Sequence, residues 1–159
     1  MKKNIIFSTV VLITAFVLGA CESISPFTEE YIDLGLPSGT LWRGQNEAGV
    51  YTYKQAISYN IPTEQQMNEL IENCQWEWLK TGCKVTGPNG KSIVLPLYGE
   101  NGVFGWYWTS THAEKPEWID SLEITTDCTS WAKALYFYGE IKNIQTACTL
   151  NEFPIRLVK

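Results

Sequence analysis

The chain from Gln75 to Lys159 consists of short runs rich in β-branched and aromatic residues, separated by Gly, Pro and Asn. Runs of this kind indicate short strands joined by turns and loops. The predicted strands are CKVTG, SIVLPLY, WYWTST, WAKALYFY, IKNIQTA and FPIRLVK. We therefore expect this part of the chain to form sheets and loops, without long helices.

An amphipathic helix is predicted immediately before this region. In IPTEQQMNELIENC, Thr63 is followed three positions later by Gln66, the spacing of a capping box at a helix start. Apolar side chains then recur with the period of a helix and form a single stripe: Met67, Leu70, Ile71 and Cys74. Upstream, YTYKQAISYN predicts a short helix, and YIDLGLPSGTLWRGQN predicts an opening hairpin that turns at PSG.

Residues 1–20 have the organisation of an export signal. Two lysines are followed by an apolar run that is too short for the roughly 20 residues of a membrane span. The segment VLGAC resembles the lipobox of bacterial lipoproteins, which implies cleavage after Ala20 and a lipid on Cys21. An ordinary secretory signal that happens to end near a cysteine is the alternative. A multiply acylated Cys21 would anchor the protein to the outer membrane or cell surface.

The segment after the signal divides into a tether and one domain. Residues 21–30 are polar and acidic, and residues 31–159 are long enough for a single domain with a sizeable core. Lys2 and Lys3 leave with the signal, so 10 basic residues face 17 acidic ones and the net charge is −7. This balance argues against a nucleic-acid partner, which favours clustered Lys and Arg.

Four cysteines remain once Cys21 is assigned to lipid, and an even number in an exported chain favours disulfides. Three pairings are possible, and we expect the local one, Cys74 with Cys83 and Cys128 with Cys148; four buried free thiols are the alternative. If Gly139 and Glu140 turn a hairpin, Cys148 lies opposite Trp131. The second bridge then requires a bulge, because Cys128 is three positions away.

Catalytic and metal-binding motifs are weak in this sequence. TGPNGKS matches only the end of a phosphate loop, and NG followed by SIVLP fits a hairpin turn and a strand better. His112 is the only histidine, so no two-histidine metal site can form, and no GxSxG elbow occurs. We expect no cofactor, no metal and no enzymatic activity. A pair of carboxylates for glycoside hydrolysis needs only spatial proximity, so a carbohydrate-active hydrolase stays open as an alternative.

The seven tryptophans are the strongest compositional feature of the chain. Trp76 and Trp78 share one face of an extended segment, as do Trp106 and Trp108 within GWYWTSTH. Large rings are mostly buried in soluble domains, so most of these are expected in the core. Trp118, in the polar context AEKPEWID, is the tryptophan most expected at the surface.

Seven segments carry a family resemblance: YIDLGLPSGTLW, IPTEQQMNEL, CQWEW, VTGPNGKSIVLP, GWYWTST, ALYF and the terminal IRLV. In this order they resemble the Fibrobacter succinogenes major paralogous (FISUMP) domain, a module of exported and lipid-anchored proteins of Bacteroidota. The resemblance spans residues 31–159. It implies a single α+β domain related to the C-type lectin-like fold, with short antiparallel sheets, one or two helices and long loops. It also implies that the first and last strands pair.

The same resemblance assigns roles within GWYWTSTH. The YWTS stretch is implied to be a central strand, with Trp108 in the core and the hydroxyls of Thr109 and Ser110 bound to nearby backbone. His112 is expected to enter the loop that follows. The motifs with which C-type lectins bind calcium and sugar, Glu-Pro-Asn or Gln-Pro-Asp and Trp-Asn-Asp, are absent.

The segment from His112 to Ser130 is longer than the family pattern predicts, and it has no clear strand or helix pattern. Loops on a rigid scaffold often carry function. We therefore expect a surface lipoprotein whose module binds an extracellular glycan or protein through Trp118, with Asp120 and His112 beside it. The alternatives are a Trp118 that caps the core, a hydrolase, and a structural component of an envelope or adhesin assembly.

Overall fold

The computed structural model of the chain describes residues 30–98, 102–121 and 127–159. Within these residues the fold is α+β, with few helices and several short antiparallel sheets. The predicted signal peptide, Cys21 and nearly all of the predicted tether fall in residues 1–29, outside the described residues. None of the described helices combines the length and apolar character needed to cross a membrane.

Short strands dominate the described chain. The strands are β1 (Tyr31–Asp33), β2 (Leu41–Arg43), β3 (Tyr51–Thr52), β4 (Gln75–Leu79), β5 (Gly82–Thr86), β6 (Ser92–Pro96), β7 (Gly105–Ala113), β8 (Trp131–Tyr138), β9 (Ile141–Cys148) and β10 (Glu152–Phe153). The helices are α1 (Tyr53–Ala56), α2 (Glu64–Asn73) and α3 (Glu117–Ser121). The antiparallel sheets have the orders β1-β2, β10-β3, β4-β5-β6 and β7-β8-β9.

The features that depend on local sequence form where they are predicted. The opening hairpin pairs β1 with β2, and the NG turn joins β5 to β6, with Gly90 at a φ of 84°. A strand follows this turn where a phosphate loop would need a helix, which excludes that motif. The capping box of α2 is confirmed: the Thr63 amide donates to Gln66 Oε1 at 2.8 Å, and the Gln66 amide donates to Thr63 Oγ1 at 3.2 Å.

Helix α1 is shorter than predicted, because the first two residues of the expected helix belong to a strand. Tyr51 pairs with Phe153 and Thr52 with Glu152. Thr52 then caps the helix, which ends at Ala56. A single turn of helix therefore follows β3 and leads into the segment that precedes α2.

The sheet β7-β8-β9 contributes to a buried cluster on each of its faces. Tyr107, Leu135 and Phe137 point to one side, where they join Met67 and Leu70 of α2 in the larger cluster. On the other side Trp108 packs with alanines of β8 and β9 and with residues of α1 and β10. Trp108 is fully buried and its indole N–H donates to the Tyr51 carbonyl at 2.8 Å, so the prediction that Trp108 lies in the core is confirmed.

Strand β7 differs from its predicted place in the sheet. It lies at an edge of the described sheet, since β8 is the strand with a neighbour on both sides. Its first residue, Gly105, lies under the Phe137 ring, where an added Cβ would come within 2.0 Å of a ring carbon. The Thr109 hydroxyl donates to the Lys133 carbonyl as expected, whereas Ser110 is exposed. His112 remains inside β7, opposite Ala132, and not in the loop.

The C-terminal segment pairs differently from the expectation. The backbone of Leu41 exchanges hydrogen bonds of 2.9 Å with Lys159, and the Arg43 amide donates to the Leu157 carbonyl. The closing segment thus lies beside β2, not β1. Most of FPIRLVK is not regular strand: β10 ends at Phe153, directly before Pro154, which has no amide hydrogen to donate.

One of the two expected disulfides is present. Cys128 and Cys148 are bonded, with their Cα atoms 5.8 Å apart, whereas Cys74 and Cys83 are free thiols. The predicted Cys74–Cys83 bridge is wrong because the β4-β5 register places Cys83 opposite Trp78. Trp78 is four residues beyond Cys74, or about 13 Å along an extended strand, and bridged Cα atoms rarely exceed about 7 Å.

Candidate functional site

The long connection between β7 and β8 begins and ends at one place on the sheet. Ala113, the last residue of β7, lies opposite Trp131, the first residue of β8. The connection between them, described at residues 114–121 and 127–130, therefore has both ends held together by the sheet, and we call it the excursion. Such an arrangement lets a loop project from a rigid scaffold without disturbing the strands below it.

The disulfide provides a second anchor for this excursion. Trp131 lies opposite Cys148, as the predicted hairpin register requires, and Cys128 precedes Trp131 by three positions. The Thr149 amide donates to the Ser130 carbonyl at 3.1 Å, and the Cα atoms of Cys128 and Cys148 are nevertheless only 5.8 Å apart. Because a ladder continued beyond Ser130 would carry Cys128 away from Cys148, the chain leaves the ladder between Cys128 and Ser130. The end of the excursion is thus fixed to β9 by a covalent bond and a hydrogen bond.

Helix α3 lies within the excursion and supplies a third anchor. Ile119 is only 3% exposed, so the short helix is attached through one apolar side chain. The Ser121 hydroxyl donates to the Trp118 carbonyl at 2.8 Å, and Lys115 forms an ion pair with Asp120. Trp118 itself is 55% exposed, which confirms the prediction that it lies at the surface.

The structure brings together only part of the predicted binding trio. Trp118 and Asp120 share α3, but side chains two positions apart on a helix point in different directions, and Asp120 is engaged by Lys115. The His112 ring packs edge-on against Tyr53 at 5.0 Å, toward α1. No contact between His112 and Trp118 is found among the described residues. The site therefore reduces to Trp118 and its supporting helix.

A polar groove of about 770 Å³ runs beside α2 and was not predicted. Its lining consists mainly of the carboxylates and amides of one helix face, together with a residue of the opening hairpin turn and one of β7: Pro37, Thr63, Glu64, Gln65, Asn68, Glu69, Glu72, Asn73 and Thr111. Glu69 is already engaged, because the Ser38 hydroxyl donates to it at 2.6 Å. The Glu64 amide likewise donates to the Thr111 hydroxyl at 2.9 Å. The polar face of α2 was visible in the sequence, but its position beside residues 37 and 111 was not.

A buried cation lies between the opening hairpin and the two larger sheets. The guanidinium of Arg156, fully buried, donates to Asn46 Oδ1 at 2.9 Å and to the carbonyls of Arg43 and Val94. Burial lowers its pKa to about 10 and raises the pKa of the adjacent Tyr107 to about 12. Arg156 stays charged at neutral pH, but it has no access to a ligand and its role is structural.

Metal-binding side chains do not cluster in the described residues, where no group of three or more His, Cys, Asp or Glu could hold an ion. The arrangement can present an aromatic ring and a polar groove to a ligand. No family model, curated protein or solved structure matches the chain.

Proposed function

We propose that the chain is a surface lipoprotein whose module binds an extracellular glycan or protein without chemical conversion. The observation that carries this proposal is Trp118, a large ring 55% exposed on an excursion that is fixed at both ends. Exposing an indole to water is unfavourable for the isolated protein. An exposed ring that is held in this position by an anchored helix can therefore be buried by a partner that binds to it.

The anchoring of the excursion supports binding as the role of Trp118. Ordering a flexible loop on binding costs free energy, and a loop that is ordered beforehand avoids that cost. Pairing at Ala113, the Cys128–Cys148 bridge and burial of Ile119 all restrict the excursion before a ligand arrives. Exposed tryptophans of this kind often dominate binding, and truncating one costs roughly 2 kcal/mol or more.

Binding is favoured over hydrolysis by the character of the groove beside α2. The groove is open, and the Glu69 carboxylate accepts hydrogen bonds from both the amide and the hydroxyl of Ser38. This carboxylate is therefore already occupied by a contact within the protein. The hydrolase and the envelope-assembly role remain the alternatives.

Membrane attachment and family membership belong to the same proposal. The VLGAC segment supports a lipid at Cys21, and the seven ordered segments from Tyr31 onward support a FISUMP domain with a C-type lectin-like fold. The α+β architecture is compatible with such a fold. A glycan or protein that binds at the cell surface is the kind of ligand that an anchored module of this class would meet.

The decisive experiment uses a soluble chain that begins at residue 22, probed on glycan and protein arrays. For at least one ligand found, Trp118→Ala should weaken binding at least tenfold and leave the melting temperature nearly unchanged. The control is Tyr59→Ala, which removes a ring of comparable exposure (40%) from the segment after α1. A large loss of stability in Trp118→Ala would instead mean that the ring caps the core.

A further inference from the structure

One end of the sheet β7-β8-β9 has a face that the buried clusters do not cover completely. The register aligns Trp106, Tyr136 and Asn143 in one row across the three strands. The next rows place Tyr138 beside Ile141 and Ala134 beside Gln145. Residues that are directly opposite, or two apart in one strand, share a face. We call Trp106, Tyr136, Tyr138, Asn143 and Gln145 the aromatic–amide face.

The three rings of this face are partly exposed, and two of them, Trp106 and Tyr136, are held by contacts with other rings. Trp106 is stacked on the buried Phe153 with centroids 5.0 Å apart, and it contacts Tyr136 at 4.9 Å. Trp106 and Tyr136 are half-buried, and Tyr138 is 51% exposed. The rings therefore form a surface that is fixed from below and open to solvent.

The polar atoms of this face are available for hydrogen bonds. The Gln145 side-chain amide donates to Asn143 Oδ1 at 3.0 Å, which leaves the Asn143 nitrogen and the Gln145 oxygen without a partner among the described residues. No described residue accepts from the Trp106 indole or bonds the hydroxyls of Tyr136 and Tyr138. The indoles of three other tryptophans do have carbonyl acceptors: Trp76, Trp78 and Trp108.

The face also lacks charge, in a chain with 17 acidic and 12 basic residues. The strand residues on this side, from Trp106 to Trp108, from Ala132 to Tyr138 and from Ile141 to Ala147, include no Asp, Glu, Lys or Arg. The lysines of β8 and β9, Lys133 and Lys142, alternate along their strands with the residues of this face and therefore point to the opposite face. A ligand that suits this face is therefore uncharged.

We infer that the aromatic–amide face binds a neutral polysaccharide. A pyranose ring has an apolar C–H face that can stack on Trp106 or Tyr136, and hydroxyls at its rim that can pair with Asn143 and Gln145. A purely apolar partner would bury the amides and the indole N–H without hydrogen bonds, which is unfavourable. A charged glycan would find no side chain of opposite charge on this face.

This inference concerns a different surface from the proposed Trp118 site. The excursion leaves the sheet at Ala113 and Trp131, whereas Tyr138 is at the other end of β8. Seven residue steps separate Trp131 from Tyr138, which is about 23 Å along a strand. Neither site depends on the other, so each can fail alone.

Affinity electrophoresis of the soluble chain in gels containing arabinoxylan, galactomannan, hydroxyethyl cellulose or dextran tests this inference. At least one of these neutral polysaccharides should retard the wild-type chain, whereas acidic alginate should not. Trp106→Ala should weaken the association at least tenfold, and Tyr138→Ala about threefold. Tyr59→Ala, which removes an exposed ring outside this face, is the matched control and should be retarded like the wild type.

A second variant covers the chance that Trp106→Ala fails to fold, since Trp106 packs on Phe153. The double variant Tyr138→Ala, Gln145→Ala changes only exposed side chains and should lose retardation by tenfold or more while keeping its melting temperature. The inference is overturned if no neutral polysaccharide retards the wild type. It is also overturned if the folded double variant is retarded unchanged.

Discussion

Replacing Arg156 with Met tests whether the buried guanidinium holds the fold together. Its donors bind three acceptors on two segments that are far apart in sequence: the Arg43 carbonyl and Asn46 on one, and the Val94 carbonyl on the other. None of the described carboxylates lies within ion-pair distance of it, so hydrogen bonds alone compensate the burial of this cation. Met has a similar length and no donor, so the substitution removes these bonds with little change in packing.

The expected magnitude is the difference of two effects. Three acceptors lose their donor, at about 1–3 kcal/mol each when the acceptor stays buried. Against this, the thioether avoids the desolvation penalty of a buried cation, which is several kcal/mol. We expect a net loss of about 2–4 kcal/mol in the free energy of unfolding.

Equilibrium unfolding in urea at pH 7, followed by tryptophan fluorescence, measures this loss as a shift of the midpoint at constant slope. Arg156→Lys is the informative companion, because it keeps the charge but replaces the planar fork by a compact, strongly hydrated ammonium. Lys should therefore destabilise at least as much as Met. A Met variant within about 0.5 kcal/mol of the wild type, which is the size of an ordinary surface substitution, would refute the reasoning. A Lys variant as stable as the wild type would also refute it.

Three further predictions concern cysteines. Replacing both Cys128 and Cys148 by Ser should lower the free energy of unfolding by about 3 kcal/mol on the chain-entropy model for a separation of 20 residues, measured by urea unfolding; an unchanged midpoint would contradict it. Burial raises the pKa of Cys74 to about 11 from 9.0, so its alkylation by iodoacetamide at pH 8 should be about 100-fold slower in the folded chain than in urea, as followed by peptide mass spectrometry. Because the folded state holds this proton more tightly, the thiol's contribution to stability is complete below pH 9 and is lost as the pH rises through about 11. An alkylation rate of Cys74 in the folded chain equal to that in urea would refute the pKa shift. Finally, Cys21→Ser should release the full-length protein from membranes in cell fractionation, and full retention would exclude the lipid anchor.

Features encoded by neighbouring residues could be read from the sequence. The capping box at Thr63 and the NG turn need only a few adjacent positions, and both form as expected. Trp118 was separable from the other tryptophans because its neighbours are polar and charged. The hairpin register that places Cys148 opposite Trp131 followed from a turn at Gly139 and Glu140.

Features that depend on distant segments could not be read in this way. Arg156 in IRLV looks like an ordinary surface cation, and only the folded chain shows Asn46 and Val94 around it. The Cys74–Cys83 expectation failed because nearness in sequence does not measure distance across a hairpin, where the register sets which residues meet. The aromatic–amide face could not be predicted because its residues come from three strands, and only the pairing of these strands places them on one surface.

The closing segment has a consequence for the order in which the chain can fold. Arg156 reaches the Arg43 carbonyl across 113 positions, and the Asn60 side chain reaches the Val158 carbonyl across 98. Contacts between such distant positions form slowly, because a long loop must close before they contribute. A nascent chain without residues 155–158 lacks both the second neighbour of β2 and the guanidinium network. We therefore expect the chain to remain unfolded until these residues have been synthesised, and the proposed export would then act on an unfolded chain.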